Sequence, residues 1–349
     1  MESGNLVYKE SEEKNKIKSI DTFNNLKSDY FLQQIFNNLE TKKLLDIVKY
    51  NNNIKKRINI NIKDYKEYSE LYSSIEVEIK PVSNEYGQFI NFKNEDEKYY
   101  HIYFNNNEEE IKRNYINKDE QINIIKIIID YHVESFGGLF HNCKGIESID
   151  FKKFYRININ NMCDMFSGCS SLKKLNLNNI ISNNVTDISF MFSGCSSLKE
   201  INLNNFNTNK VTKMEYMFSG CSSLKELNLN NFNTYNVIDM NGMFSGCSSL
   251  KELNLNNFNT NNVNYMGTMF SGCSSLKELN LNNFNTYNVI CMNYMFSGCS
   301  SLKELNLNNF NTNNVRDMNC MFYGCSNELV MKIKTQYKNI KEEAFLNNY

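Results

Sequence analysis

Eleven cysteines and three histidines are the side chains of this 349-residue chain best suited to metal binding or nucleophilic chemistry. Eight cysteines, Cys143, Cys169, Cys195, Cys221, Cys247, Cys273, Cys299 and Cys325, recur every 26 residues. Units stacked about 5 Å apart would bring successive cysteines within the ~4.4–6.8 Å Cα separation that a disulfide spans. Distance alone therefore permits pairing. A zinc site needs about four converging ligands, and a file of side chains that all point the same way converges on nothing. Cys163, Cys291 and Cys320 fall in different units, and His101, His132 and His141 are the only histidines. His141 stands two residues before Cys143, and one such pair is not a metal motif. The Ser-Ser that follows the cysteine from Cys169 to Cys299 has no histidine in the regular units to act as base. The glycine before each cysteine has no phosphate-loop spacing. No catalytic residue, metal or cofactor is expected. The chain reads as a non-enzyme whose column thiols are free and buried as small apolar side chains.

The elements that hold those cysteines repeat with them. The unit reads V-x-x-M-x-x-M-F-S-G-C-S-S-L-K-E-L-N-L-N-N-F-N-T-x-N, as from Val211 to Asn236. Such strict self-similarity marks a solenoid, in which each unit buries its apolar side against its neighbours. Valine, methionine and phenylalanine ten, seven, four and three residues before the cysteine (Val211, Met214, Met217, Phe218) fall on one face of a short helix. Asn184, Asn236, Asn262, Asn288 and Asn314 are placed to cap that helix. Gly168, Gly194 and their equivalents, replaced by Asn142 in the first unit, are placed to stop it in the left-handed region. The segment Leu198-Lys199-Glu200-Ile201-Asn202-Leu203 has L-x-x-L-x-L spacing and predicts a strand, stacked in parallel at ~4.8 Å. Phe206, Phe232, Phe258, Phe284 and Phe310 are expected to fill a corner of the coil.

The pattern V-T-x-M-x-x-M-F-S-G-C-S-S-L-K-E-L-N-L resembles the 26-residue repeats of BspA-like surface proteins, a divergent leucine-rich branch, over residues 133–333. The resemblance implies an α/β solenoid with a parallel sheet and short helices, and a surface or adhesion role. A second, shorter resemblance lies at 28–50. The run F-L-Q-Q-I-F-N-N-L-E-T-K-K-L-L-D-I-V from Phe31 to Val48 is similar to an F-box, which would make residues 21–72 the docking segment of a ubiquitin-ligase substrate adaptor.

The expected organisation is a loose arm at 1–20, a helical region at 21–72, a small β-rich module at 73–120, and the solenoid with its caps at 121–349. In the helical region, Phe31, Leu32, Ile35, Phe36 and Leu39 share a helix face, and Thr41 caps a second helix bearing Leu44, Leu45 and Val48. Asn51-Asn52-Asn53 ends that helix, and another starts near Asp64. In the β module, Ile75, Val77 and Ile79 alternate with charges, and 89–92 and 99–104 read as further strands. Ile122 to Ile129 predicts an entry strand to the solenoid. At the other end Leu329, Met331 and Ile333 are expected to finish the sheet, and 340–346 to close it with a short helix, since an open stack exposes an apolar cross-section.

With 38 basic and 39 acidic residues the chain has a formal charge of −1, so no field draws it to nucleic acid or an anionic membrane. No apolar run approaches the ~20 residues of a membrane span. The first residues, Met1-Glu2-Ser3-Gly4, do not read as a secretory leader. A cytoplasmic, reducing location is expected, with surface exposure by an unconventional route left open. The abundant asparagine is read as compositional bias, but Asn202, Asn228, Asn254, Asn280 and Asn306 are expected to form an amide ladder along the stacked strands. The Lys199 and Glu200 columns are read as a solvated face in which opposite charges compensate. A protein partner is the expected ligand. Its candidate contacts are Phe190, Tyr216, Tyr265 and Tyr294, from columns that vary between units, together with Asn202, Asn228, Asn254 and Asn280 on the invariant strand.

Overall fold

The computed structural model describes residues 27–37, 51–58, 73–130 and 132–346. The chain divides into two compact units, Met1–Ser73 and Ser74–Tyr349. In the first, α1 (Asp29–Asn37) buries Leu32 and Phe36, one turn apart. Whether Asn51 ends a helix, as expected, turns on residues outside the described ones. Asn51 begins a helix, because its side chain accepts the N–H groups of Asn53 and Ile54 at the start of α2 (Asn52–Arg57). Arg57 Nε reaches Asp29 Oδ1 at 2.7 Å and ties the two helices. The expected helix at 41–48 and the one near Asp64 lie outside the described residues, and so does most of the F-box-like stretch.

The second unit is mostly sheet with few helices. Its main sheet is mixed and open, with strand order β3-β5-β1-β6-β7. These strands are β1 (Ile75–Pro81), β3 (Tyr100–Phe104), β5 (Ile125–Ile129), β6 (Ile146–Lys153) and β7 (Lys174–Asn176). Alternation does what the sequence implied in β1, where Ile75, Val77 and Ile79 are buried. Residues 89–92 are not a strand. Only β2 (Gly87–Gln88) pairs there, with β4 (Tyr115–Ile116), and Phe89 and Ile90 are buried without a ladder of their own. Residues Asn94–Tyr99 form a short 3-10 helix. β5 is not an entry strand to the repeats, since it runs antiparallel between β1 and β3. The join to the repeats is instead β1, antiparallel to β6, which is the first unit's own strand. One sheet thus crosses position 120.

From residue 133 the backbone repeats as coils hydrogen-bonded one to the next. The segment expected to be a helix is a chain of tight turns. Met217, Ser219 and Cys221 N–H groups bond three residues back, to Met214, Tyr216 and Phe218. The N–H groups between them leave the coil: Tyr216 bonds Asn241 O at 2.7 Å, Phe218 bonds Met243 O at 2.9 Å, and Gly220 bonds Ser245 O at 2.6 Å. Parallel bridges link Asp187, Lys213, Asp239, Tyr265, Cys291 and Asp317 along the same edge. Turns that advance three residues place every third side chain inward, as one face of a helix would, so the apolar spacing could not separate the two. The glycine is left-handed as expected (Gly246 φ +72), but it closes a turn. A Cβ there would lie 3.3 Å from Gly220 N. Asn184, Asn236, Asn262, Asn288 and Asn314 cap nothing, because each donates its amide to a carbonyl of the preceding coil, as Asn236 does to Asn209 O at 2.8 Å.

The opposite edge is bonded more sparsely. β6 and β7 form the one regular parallel pair among the described residues. In later coils single backbone bonds remain, such as Lys225 N to Lys199 O at 3.2 Å. The expected regular sheet of L-K-E-L-N-L strands is therefore not formed beyond β7. Between the edges lies a core of files. Phenylalanine rings from Phe140 to Phe322 stack at 5.4–5.9 Å, coil over coil. The corner rings Phe206, Phe232, Phe258, Phe284 and Phe310 are buried as expected.

Both ends of the stack are covered. Asn91 N–H bonds Leu139 O at 2.6 Å, and its amide donates to Gly138 O and His141 O at 3.2 and 2.7 Å. Leu139 O and His141 O have no earlier coil to donate to them, whereas Gly138 O already accepts His141 N–H. At the far end the expected strand of Leu329, Met331 and Ile333 is a helix, α3 (Asn327–Gln336), capped by Ser326 on Leu329 N. Leu329 and Ile333 are buried and Met331 is 64% exposed, which is helical and not strand alternation. A 3-10 turn at Glu342–Phe345 then takes the place of a ninth coil. Glu343 O and Ala344 O accept Cys320 N and Phe322 N, and Phe345 stacks on Phe322 at 5.4 Å.

Asn91→Ala should cost about 1 kcal/mol, because His141 O loses its donor while Leu139 O keeps the backbone N–H and Gly138 O keeps that of His141. Hydrogen exchange should quicken over the first coil and stay unchanged at 240–300. Uniform acceleration along the stack would contradict a local capping role.

Candidate functional site

All eleven cysteines are free thiols. The column from Cys169 to Cys325 is held by the coil before it. Cys195 Sγ donates to Phe166 O at 3.2 Å, Cys221 Sγ to Phe192 O at 3.1 Å, and Cys247 Sγ to Phe218 O at 3.2 Å. Each such carbonyl also accepts its own coil's cysteine N–H, as Phe192 O does from Cys195. Burial pushes these thiols far above their ordinary range. Cys163, half-buried, is pushed up to about 12 by burial and then by Asp164, and burial also raises Cys291. No group of three or more His, Cys, Asp or Glu side chains placed to hold a metal occurs among the described residues. A thiol held protonated in an apolar file is a poor nucleophile. At pH 8, iodoacetamide should leave Cys195, Cys221, Cys247, Cys273 and Cys299 unlabelled in the folded protein and alkylate them all in urea. Rapid labelling of the native protein, read by peptide mass spectrometry, would contradict this burial.

The candidate contact residues separate into two groups that do not meet. Phe190, Tyr216 and Tyr294 sit in the turn chain with positive φ (56, 54 and 55°), as do Gly242, Thr268 and Cys320 of the same column. They are half-buried, and Phe190 stacks on Tyr216 at 4.9 Å. Gly242 leaves room for the Tyr216 ring, which a Cβ would meet at 2.3 Å. Variation in this column therefore follows backbone strain and ring packing as well as exposure. Beside it Asp239 is raised by burial, helped by the nearby Glu215 carboxylate and opposed by its bond from Asn241 N–H. Tyr265 alone of the four projects well into solvent. Thr268 is β-branched in a left-handed site, and its Oγ1 is buried without a partner. Thr268→Gly should accordingly stabilise the protein by about 1 kcal/mol, measured as a higher thermal midpoint. A lower midpoint would show that the side chain packs usefully.

Asn202, Asn228, Asn254 and Asn280 lie exposed on the L-K-E-L-N-L segment. They do not bond to one another in one column. Asn228 Nδ2 donates to Asn204 Oδ1 at 3.2 Å, and Asn228 Oδ1 accepts its own coil's Asn230 N–H at 3.0 Å. Further amides repeat this between coils: Asn231 to Leu203 O and Phe206 O, Asn233 to Asn209 Oδ1, and Asn236 to Asn209 O. Inside, Thr208 Oγ1 donates to Asn233 O at 3.0 Å and accepts Asn233 N–H at 2.8 Å, and buried Thr234, Thr260 and Thr286 do the same. The expected amide ladder is thus present in staggered form, and the other asparagines, read as bias, add to the bonding along this side. Their 26-residue recurrence was the signal.

Three open depressions lie along this segment. One is framed by Asp150, Lys174, Glu200 and Asn202, one by Lys225, Glu226, Asn228, Lys251, Glu252 and Asn254, and one by Glu278, Asn280, Glu304 and α3. The lysine and glutamate columns are both exposed, as a solvated face requires. Ion pairs occur at the ends, Lys173 with Glu147 and Lys332 with Glu328, and none joins Lys199–Lys303 to Glu200–Glu304 among the described residues. Each of those side chains is exposed and extends separately into water.

A family model described as "Mycoplasma protein of unknown function, DUF285" matches residues 134–253 and again 223–336. The chain belongs to the DUF285 family. The two overlapping matches together run from the first turn chain to the end of α3, so the DUF285 region is the coiled stack and its distal cap. No curated protein and no solved structure matches the chain. Among the described residues no helix is long and apolar enough to cross a membrane.

Proposed function

We propose that this protein is a non-enzymatic interaction scaffold, a leucine-rich-type solenoid of the BspA-like kind whose L-K-E-L-N-L side receives a protein partner. The observation that carries this reading is the coincidence of all three depressions with the unpaired glutamate column and the exposed Asn202, Asn228, Asn254 and Asn280. Glu200, Glu226, Glu252, Glu278 and Glu304 extend over four coil spacings, about 20 Å at the usual strand separation. A partner presenting cationic side chains along an extended or flat surface meets that row with charges that gain a counter-ion on binding. The Asn amides have bonding capacity left for its backbone. Buried thiols and the lack of a base near the repeated serines favour binding over catalysis as the role of the stack.

The test is affinity capture from the source cell with the full chain as bait, beside Glu226→Lys/Glu252→Lys. A scaffold acting through this side should retain a protein that the double variant loses, and the bound fraction should fall with salt. Equal capture by both baits would refute the assignment of this side.

A further inference from the structure

The turn that follows each F-N-T carries a row of a different character. Asn209, Tyr235, Asn261, Tyr287 and Asn313 occupy one column, alternate in type, and are all exposed. Each is fixed in the same way, its N–H donated to the Oδ1 of the asparagine two residues earlier (Asn207, Asn233, Asn259, Asn285, Asn311) at 2.8–3.0 Å. The five side chains therefore leave one edge of the stack from equivalent backbone. Tyr235 and Tyr287 are 58% and 59% exposed, and neither side chain has a ring, ion-pair or hydrogen-bond partner among the described residues. Between them the Oδ1 of Asn209 and of Asn261 is held by Asn233 and Asn285, at 2.9 and 2.7 Å. That leaves the Nδ2 donors of both amides free. Ile238 and Tyr265, 46% and 40% exposed, add apolar surface close by. Ile238 lies three residues beyond Tyr235, and its carbonyl accepts the N–H of Asn264 in the next coil, next to Tyr265.

We infer that this row binds an extended, uncharged β-1,4-linked glycan lying along the stack. The inference is independent of the protein-binding side proposed above. Three features select that ligand. The turns at 233–236, 259–262, 285–288 and 311–314, which hold both rings, contain no charged side chain; the one cation of the row's turns, Lys210 at 207–210, lies at its end and donates to Asn184 Oδ1 at 2.6 Å. Flat rings with free faces suit the C–H faces of pyranose sugars, and free amide N–H groups suit their hydroxyls. The rings are two coils apart, about 10 Å at the usual strand spacing, which is close to the two-residue repeat of such a glycan in extended form. One ring would meet every second sugar, and an asparagine would meet the sugar between.

Isothermal titration of the full chain with cellohexaose and with chitohexaose tests this, each compared with its disaccharide. Saturable binding of at least one hexasaccharide is expected, with its disaccharide weaker because it spans a single ring. Tyr235→Ala or Tyr287→Ala should weaken binding by about tenfold, the loss of one ring contact, and the double variant should abolish it. Tyr287→Phe should retain it, and so should Glu226→Lys/Glu252→Lys, whose site is elsewhere. Both tyrosines are exposed, and circular dichroism of the variants should match the parent. Failure of both hexasaccharides to bind, or undiminished binding by the double alanine variant, would overturn the inference.

Discussion

Each coil of this protein must offer its successor a matching line of hydrogen-bonding groups, and most other features follow from that demand. Along the turn chain, alternate N–H groups point onward and alternate carbonyls point back. The alternation needs left-handed residues at fixed places, which the Gly246 column supplies cheaply and the Phe190 column supplies under strain. A Cβ at the repeated glycine would lie 3.3–3.5 Å from the preceding coil's glycine, a close fit added to the cost of its positive φ. The core residues are correspondingly uniform, because any side chain that changed the rise of one coil would break register in the next.

The two sides of a coil meet this demand with different chemistry. On one, backbone bonds backbone and the cysteine adds a thiol donor to a carbonyl already in use. On the other, asparagine and threonine side chains replace the missing backbone ladder. Side-chain bonding is the looser of the two, and the open depressions and unpaired charges lie on that side. The exposed tyrosines stand where the coil turns between them. Rigidity and available surface are thus divided around the coil, an arrangement suited to holding ligands along its length.

The ends show the same constraint. The first coil has carbonyls without donors and the last has N–H groups without acceptors, so their caps differ. Asn91 contributes three donor bonds at one end, while the 3-10 turn at Glu342–Phe345 contributes two acceptors and a ring at the other. β1 covers the edge of β6 in the reverse direction, which an antiparallel strand can do without continuing the repeat.

The sequence by itself determined the period, the membership of the buried files and the left-handed glycine, because each depends on a residue type recurring in one column. It could not determine that the Val211–Phe218 segment is a chain of turns, since turns and a helix both bring every third or fourth side chain inward. It pointed to an amide ladder in the Asn228 column, but not to its stagger nor to the bonds of the other asparagines. An amide's partner lies in the neighbouring coil, about 25 residues away, and only the stacked structure brings the two together. Leu329 and Ile333 are one turn apart in a helix and two steps apart on a strand face, and the choice fell to the cross-section they had to cover. Spacing within a coil is written in the chain, whereas bonding between coils exists only once the coils have met.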